Sequence, residues 1–178
     1  MTTFTEGNLQ IAFPAGAVVQ KFDDRSHGLS HCMKAVDFIV ELKDRYLFIE
    51  IKDPQHPESR REERDEWAKK FLACSLDEDL KYKYRDSFLY EWACGKVDKP
   101  IHYYVLVALD TLDGAELIAR TDALKRIIPL DGPPAGRWTK KVVDGCAVFN
   151  IATWNEKLRG FPVTRLPGVG RDNAGGVR

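Results

Sequence analysis

Residues 36–54 read VDFIVELKDRYLFIEIKDP. Two apolar runs, residues 36–42 and 46–51, are rich in Val, Ile, Phe and Tyr and flank a short charged break at residues 43–45. Apolar runs of this length on either side of a short polar break are typical of consecutive antiparallel strands joined by a tight turn. We therefore predict a β-hairpin over residues 36–52.

Three charged side chains interrupt the apolar surface of this hairpin: Asp37, Glu50 and Lys52. Glu50 and Lys52 share a face of their strand, because side chains two residues apart point the same way. Directly opposed residues of an antiparallel pair also point the same way. A two-residue loop puts Asp37 opposite Lys52, on the face that carries Glu50 and Lys52. A four-residue loop has the same parity and also brings Asp37 to that face. An odd loop sends it to the other face.

An even loop gathers two carboxylates and an ammonium group at one end of the hairpin. Burying such charges without partners costs several kcal/mol each, so they need each other, water or a metal ion. Mg²⁺ prefers one or two carboxylates together with waters and phosphate oxygens. A neighbouring lysine can orient an attacking water or stabilise charge on a phosphoryl group. A salt-bridged strand end is the structural alternative.

Asp37, followed after twelve residues by Glu50-Ile51-Lys52, resembles the D…(D/E)-x-K signature of the PD-(D/E)xK nuclease superfamily. Val36 stands where the family name has proline, and the resemblance covers roughly residues 30–110. It implies a three-layer α/β fold, restriction-endonuclease-like, with a mixed central sheet flanked by helices. It also implies Mg²⁺-dependent hydrolysis of nucleic-acid phosphodiester bonds, with Mn²⁺ as a substitute, DNA preferred over RNA, and 5′-phosphate and 3′-hydroxyl products.

The resemblance implies a role for each residue of the motif. Asp37, Glu50 and the backbone carbonyl of Ile51 would bind the metal ion, and Lys52 would position the nucleophile. A prokaryotic defence or mobile-element system is the setting that the family suggests. A homodimer or a partner protein subunit would then contribute to target choice. The alternative function is a catalytically inactive nuclease-fold subunit that binds nucleic acid or a protein partner.

The family's helix after the E-x-K strand often sends a polar residue towards the site. By that resemblance Lys83 is the candidate phosphate contact, with Asp86 about one turn away as a supporting residue. An ordinary i,i+3 surface pair is the alternative for these two residues. No convincing helix precedes Asp37, so only Glu6, or Asp23 and Asp24, could supply the extra acid that the family sometimes carries there. Glu6 and Asp53 are further candidate supporting residues.

Composition predicts one domain over residues 1–165, with a Gly-rich tail over 166–178 that we expect to lack fixed structure. The formal net charge is +0, so the whole molecule does not attract polyanions. The charge is uneven, however: residues 1–112 hold 16 Lys and Arg against 20 Asp and Glu, and residues 113–178 hold 11 against 7. The basic C-terminal third can supply phosphate contacts, although solvated surface also explains so small an excess.

Four scattered cysteines without a C-x-x-C pair favour a reducing compartment over a zinc site or disulfide framework. The N-terminal residues show no secretory signal, and the longest apolar run is too short to cross a bilayer. We therefore expect a cytoplasmic protein without a membrane partner. His27 and His31 lie four apart, but the glycine between them argues against a helix and thus against a shared metal.

The remaining pattern predicts an alternation of strands and helices. Thr153 and Glu156 suggest a capping box for the last helix. The predicted segments are strands over 8–13, 17–22, 101–109 and 146–152, and helices over 58–74, from about 77 to 95, over 114–128 and over 154–160.

Overall fold

The computed structural model describes residues 1–24 and 28–167. Residues 168–178 of the predicted tail, and His27 of the histidine pair, lie outside the described residues. At the start of the predicted tail, the backbone N–H of Leu166 donates to the carbonyl of Asn8 (2.7 Å). The strands and helices, in chain order, are β1 (Thr2–Glu6), β2 (Leu9–Phe13), β3 (Val18–Lys21), β4 (Phe38–Glu41), β5 (Tyr46–Lys52), α1 (Arg61–Leu72), α2 (Asp77–Ala93), β6 (Ile101–Val107), α3 (Gly114–Ile127), β7 (Gly145–Phe149), α4 (Ile151–Lys157) and β8 (Val163–Arg165).

The largest element is a mixed five-stranded sheet in the order β3-β4-β5-β6-β7. Strand β4 pairs antiparallel with both β3 and β5, whereas β6 pairs parallel with both β5 and β7. The parallel pairs require crossover connections, and the helices between these strands supply them. The predicted α/β class with a mixed sheet is therefore confirmed.

The two faces of this sheet are covered differently. Side chains of α1, α2 and α3 join one face in the larger hydrophobic cluster, which includes Phe71, Leu80 and Leu124. The other face packs against a small antiparallel sheet of order β1-β2-β8 and against α4, whose Trp154 is fully buried. The result is three layers, with a second sheet forming most of the layer opposite α1–α3.

Strand β5 lies at the centre of the molecule, between β4 and β6. Every residue of β5 except Lys52 is buried. Phe48 belongs to the cluster on the α2 side, while Ile49 and Ile51 belong to the cluster on the other side. A strand covered on both faces needs apolar residues at nearly every position, which explains the continuous apolar run.

The hairpin register has the even parity that brings the charges together. Phe38 pairs with Ile49 and Glu41 with Tyr46, so a four-residue loop separates the paired ends. Within that loop the N–H of Leu42 donates to the carbonyl of Arg45 (2.8 Å). Continuing this register by one residue puts Asp37 opposite Glu50, rather than opposite Lys52 as a two-residue loop would.

Several elements differ from the sequence prediction. Strands β1 and β8 were not predicted, and β2 and β3 belong to different sheets although a short turn joins them. The last helix begins earlier than predicted, because Asn150 caps it: its side chain accepts from the N–H of Thr153 (2.8 Å). Thr153 is therefore the N3 residue of the capping box and not its N-cap. Within the described residues, no helix is long and apolar enough to cross a membrane.

Candidate functional site

The motif residues meet at the carboxyl end of β5, on the face of the sheet that α2 covers. Glu50 and Lys52 belong to β5, and Asp37 lies immediately before β4. Alternation along both strands, together with the even loop, places all three side chains on this face. The site is therefore bounded by the hairpin and by α2.

Glu50 is a fully buried carboxylate with two lysines beside it. Its Oε1 lies 2.7 Å from the ammonium of Lys83 and 2.9 Å from that of Lys52. These are ion-pair contacts without hydrogen-bond geometry, and Oε2 has no hydrogen-bond partner in the described part of the chain. Burial raises the pKa of Glu50, and the two lysines oppose that rise without cancelling it. Its charged form is thus only partly compensated.

Asp37 is the second buried carboxylate, with 5% of its surface exposed. Its Oδ2 accepts a hydrogen bond from the backbone N–H of Ile51, and its Oδ1 lies 3.7 Å from the ammonium of Lys83. Burial and then the negative charge of Glu50 raise the pKa of Asp37 to about 8, against the opposing effect of Lys83. Without a further cation, Asp37 is therefore mostly protonated at neutral pH.

Lys83 extends from α2 to both carboxylates. Burial alone would lower the pKa of its ammonium group, but the charges of Glu50 and Asp37 outweigh burial and hold the pKa above its ordinary value. The side chain of Ser87 fixes this part of α2: its hydroxyl donates to the carbonyl of Lys83 (2.7 Å) and accepts from the N–H of Val36 (3.0 Å). The start of the hairpin and the helix are thus joined next to the site.

The structure adds two residues that sequence reasoning missed, Asp79 and Lys34. Asp79 Oδ2 lies 3.7 Å from the ammonium of Lys52, and its Oδ1 accepts from the ammonium of Lys34. Burial alone would raise the pKa of Asp79, but Lys34 and then Lys52 hold it below its ordinary value. The signal was available for Asp79, which precedes Lys83 by four residues and so lies on the same side of α2. Lys34 lies in an irregular segment and gave no such signal.

Two of the proposed supporting acids point elsewhere. Asp86 Oδ2 accepts from the backbone N–H of Lys34 (3.0 Å), which ties the segment before the hairpin to α2. Asp53 lies on the other face of the sheet, where it forms two hydrogen bonds with the guanidinium group of Arg165 (2.7 and 2.9 Å). Both carboxylates hold elements together and do not meet Glu50.

Glu6 also lies away from Glu50. Its carboxylate pairs with Lys21 (2.7 Å), and Lys21 shares a sheet face with Val19, which packs on the side opposite α2. Asp23 acts on the site electrostatically, because its charge contributes to the raised pKa of Asp37. Burial, followed by the charge of Glu6, raises the pKa of Asp23 itself.

The donor set matches a hard cation bound by few protein ligands. Among the described residues, no three or more His, Cys, Asp or Glu side chains form a group that could hold a metal ion. The available oxygens are those of two carboxylates and the backbone carbonyl of Ile51. This carbonyl points to the same side of β5 as the Ile51 N–H, which donates a hydrogen bond to Asp37. Mg²⁺ commonly uses one or two carboxylates and keeps several waters. The buried Glu50 oxygens, which lack a hydrogen-bond partner among the described residues, add to this fit.

We compared the chain with protein-family models, curated proteins and solved structures, and nothing matched. The geometry and charge of the site are therefore the basis for proposing a function.

Replacing Lys83 by Gln is expected to lower the free energy of unfolding of the metal-free protein by about 1–3 kcal/mol near pH 8. The reason is that Asp37 and Glu50 lose the cation that lies between them. Saturating Mg²⁺ should reduce the difference in unfolding free energy between Lys83→Gln and wild type, because a bound divalent ion replaces the missing positive charge. Urea unfolding in EDTA and in Mg²⁺ measures both effects.

Lys81→Gln is the matched control, since Lys81 is on the same helix and pairs with the exposed Glu78. Its effect should stay below about 0.5 kcal/mol, as is usual for exposed pairs. Equal effects of the two substitutions would show that Lys83 is an ordinary surface lysine.

Proposed function

We propose that this chain is a Mg²⁺-dependent nuclease that hydrolyses phosphodiester bonds in nucleic acid, with DNA as the preferred polymer. One observation carries the proposal: the buried carboxylates of Asp37 and Glu50 form a single ion-pair cluster with the ammonium groups of Lys52 and Lys83. The preference for DNA comes from the resemblance of the motif to the PD-(D/E)xK signature.

The order of elements around the site supports a restriction-endonuclease-like core. An antiparallel hairpin (β4 and β5) carries the motif, helices follow, and β6 returns parallel to β5. This arrangement puts the motif on a central strand, where packing on both faces holds its side chains in position. Rigid elements of this kind suit a site whose groups must keep fixed positions.

Each motif residue has a role that follows from its contacts. Asp37, Glu50 and the Ile51 carbonyl would hold the metal ion. When bound, Mg²⁺ supplies a Lewis acid for the phosphate and lowers the pKa of a bound water. Lys52, held between Glu50 and Asp79, orients the water for attack on phosphorus.

Lys83 has a separate role in this proposal. Its ammonium group contacts both carboxylates, and 19% of its side chain is exposed. With the carboxylates engaged by a divalent ion, Lys83 would be free to turn to a phosphate oxygen. There it would stabilise the negative charge that develops on the phosphoryl group.

Cleavage assays on plasmid, single-stranded DNA and RNA test this function directly. We expect cleavage in Mg²⁺ or Mn²⁺, none in EDTA, and a loss of at least about a hundredfold for Lys52→Ala. Lys70→Ala is the control, because Lys70 forms an exposed ion pair with Glu66 on α1. An absence of wild-type cleavage with both ions, across all three substrates, would refute the proposal.

A non-cleaving subunit that binds nucleic acid or a protein partner is the second candidate. It is favoured by the contacts of Lys52 and Lys83 with Glu50, since two ammonium groups already compensate part of the carboxylate charge. Calorimetry separates the two functions: a nuclease should bind Mg²⁺ with a dependence on Asp37 and Glu50. A non-cleaving subunit should not.

A further inference from the structure

A cleft of about 710 Å³ lies between the C-terminal part of α2 and the loop before β7. Two tryptophans line it, Trp92 from α2 and Trp138 from the loop, and their exposed fractions are 60% and 48%. The volume is within the range of roughly 300–1,000 Å³ that is usual for ligand clefts. Exposed apolar side chains that line one cleft form a patch of the kind that marks interaction sites, unlike hydrophobic residues exposed singly.

The indole of Trp138 is held in place by a close contact with the backbone. Gly132 has a φ of +69°, and a Cβ atom built on it would lie 2.8 Å from the indole ring. Only glycine therefore allows Trp138 to lie against the chain at this point. The ring therefore lies against Gly132 while about half of the residue stays exposed.

The charged side chains of the cleft that lack a partner among the described residues are both basic. Arg137 and Lys140 line it and have no ion pair or hydrogen bond with any described residue. Two neighbouring lysines are engaged: Lys99 with Glu41, and Lys141 with Asp131 (3.5 Å). Unpaired cations next to exposed aromatic faces match a polyanion that also carries flat rings.

We propose that this cleft, lined by Trp92, Trp138, Arg137 and Lys140, binds a single-stranded segment of nucleic acid. Bases stack on the two indoles, and phosphates contact the two cations. Single strands expose the base faces that stacking requires, whereas a duplex buries them. Among the described residues, Asp98 is the only carboxylate that lines the cleft, and it accepts a hydrogen bond from the Tyr46 hydroxyl (2.8 Å). Four basic side chains line the cleft with it, so the charge there favours phosphate.

This cleft is distinct from the candidate catalytic pocket. Lys83 and Trp92 are nine residues apart on α2, which corresponds to about 13 Å along the axis and about two and a half turns. The two side chains therefore leave opposite sides of the helix. Binding of single-stranded nucleic acid in the cleft requires neither metal nor cleavage. This inference therefore holds even if the chain is not a nuclease.

The test measures binding of a fluorescein-labelled oligothymidylate of about 12 nucleotides to the full chain in EDTA, by fluorescence anisotropy. Trp92→Leu and Trp138→Leu should each weaken binding by about tenfold or more, and Phe at either position should restore part of it. Ile118→Ala, at an exposed apolar residue of α3, is the control and should have no effect.

The salt dependence supplies a second, independent readout. Replacing Arg137 and Lys140 together by alanine should make the slope of log K against log salt shallower by about 1.4, or about 0.7 per cation. The control is the double alanine variant of Lys125 and Arg126 on α3, for which the slope should not change. Because binding is measured in EDTA, it is separate from the metal-dependent cleavage proposed for the catalytic site.

Three results would overturn the inference. The first is an absence of oligonucleotide binding in EDTA at low salt. The second is binding that both tryptophan variants and the cation variant leave unchanged. The third is occupation of the cleft by another macromolecule: tighter binding of an acidic peptide than of the oligonucleotide, or a dimer that Trp138→Leu dissociates in sedimentation experiments.

Discussion

Glu50→Gln is expected to reduce Mg²⁺-dependent cleavage by at least about a thousandfold while leaving the metal-free fold intact. A Lewis acid contributes several kcal/mol to phosphoryl transfer, and each 1.36 kcal/mol is a factor of ten in rate. The fold should tolerate the change because burial raises the pKa of Glu50 despite its two lysines. The charged carboxylate therefore costs more in the folded state than its ion pairs return, and a neutral amide of the same shape removes that cost.

Glu91→Gln is the matched control for this substitution. Glu91 is also a buried glutamate of the same domain, its pKa is raised by burial, and Lys96 lies 3.7 Å from its carboxylate. It lies at the far end of α2, so cleavage should be unaffected. Should Glu50→Gln instead unfold the protein in EDTA, or cleave as wild type does, the charged hairpin end would be a structural salt bridge.

The free energy of unfolding of the metal-free protein is expected to fall as pH rises from about 4 to about 8. Asp37 has a pKa of about 8 in the folded protein, well above its ordinary value of 3.8. Over that interval the folded state keeps a proton that the unfolded chain has released, so raising the pH favours unfolding. This stabilising contribution is complete below about pH 4 and is lost as pH passes the folded pKa. Its size is on the order of a few kcal/mol.

Mg²⁺ should reverse this dependence, because it binds the ionised carboxylates. The rise in melting temperature that saturating Mg²⁺ produces should therefore be larger at pH 9 than at pH 5. Calorimetric scans at several pH values, with EDTA or Mg²⁺, measure both trends. The groups that face Asp37 and share in the titration are Glu50, Lys83 and Asp23.

Asp37→Asn should flatten the pH dependence and remove most of the Mg²⁺ effect. Asp144→Asn is the control, because Asp144 also accepts a backbone N–H of a strand, from Ile101 (2.9 Å), at the other end of the sheet. A wild-type protein whose stability rises between pH 5 and pH 8 without metal would contradict the assignment. So would an Asp37→Asn variant that keeps the full Mg²⁺ effect.

The hairpin and its charges were predictable because local rules determine them. Alternation of side chains fixes which residues share a face, and an even loop is sufficient to place Asp37 with Glu50. Lys83 was predictable for a similar reason, since the apolar stripe of α2 identifies the side that meets the sheet. Periodicity of this kind also predicted an α/β fold with a mixed sheet.

The remainder of the site depends on contacts between distant parts of the chain. Lys34 precedes the hairpin in an irregular segment, and no periodic pattern connects it with Asp79. The small sheet escaped prediction because β8 has only three residues and pairs with β2, more than 150 positions earlier. Asp53 was proposed as a supporting residue near the site, but one step along the strand turns it to the opposite face, towards Arg165.

The pairing of β8 with β2 also has a consequence for synthesis on the ribosome. The segment that completes the small sheet, Val163–Arg165, is translated long after β4 and β5 have emerged. Until then the apolar face of the hairpin that carries Phe38 and Ile49 lacks part of its cover. Nascent chains are therefore vulnerable to association through this face. A chaperone that binds nascent chains, or a change in translation rate, would then affect the yield of folded protein more than its final stability.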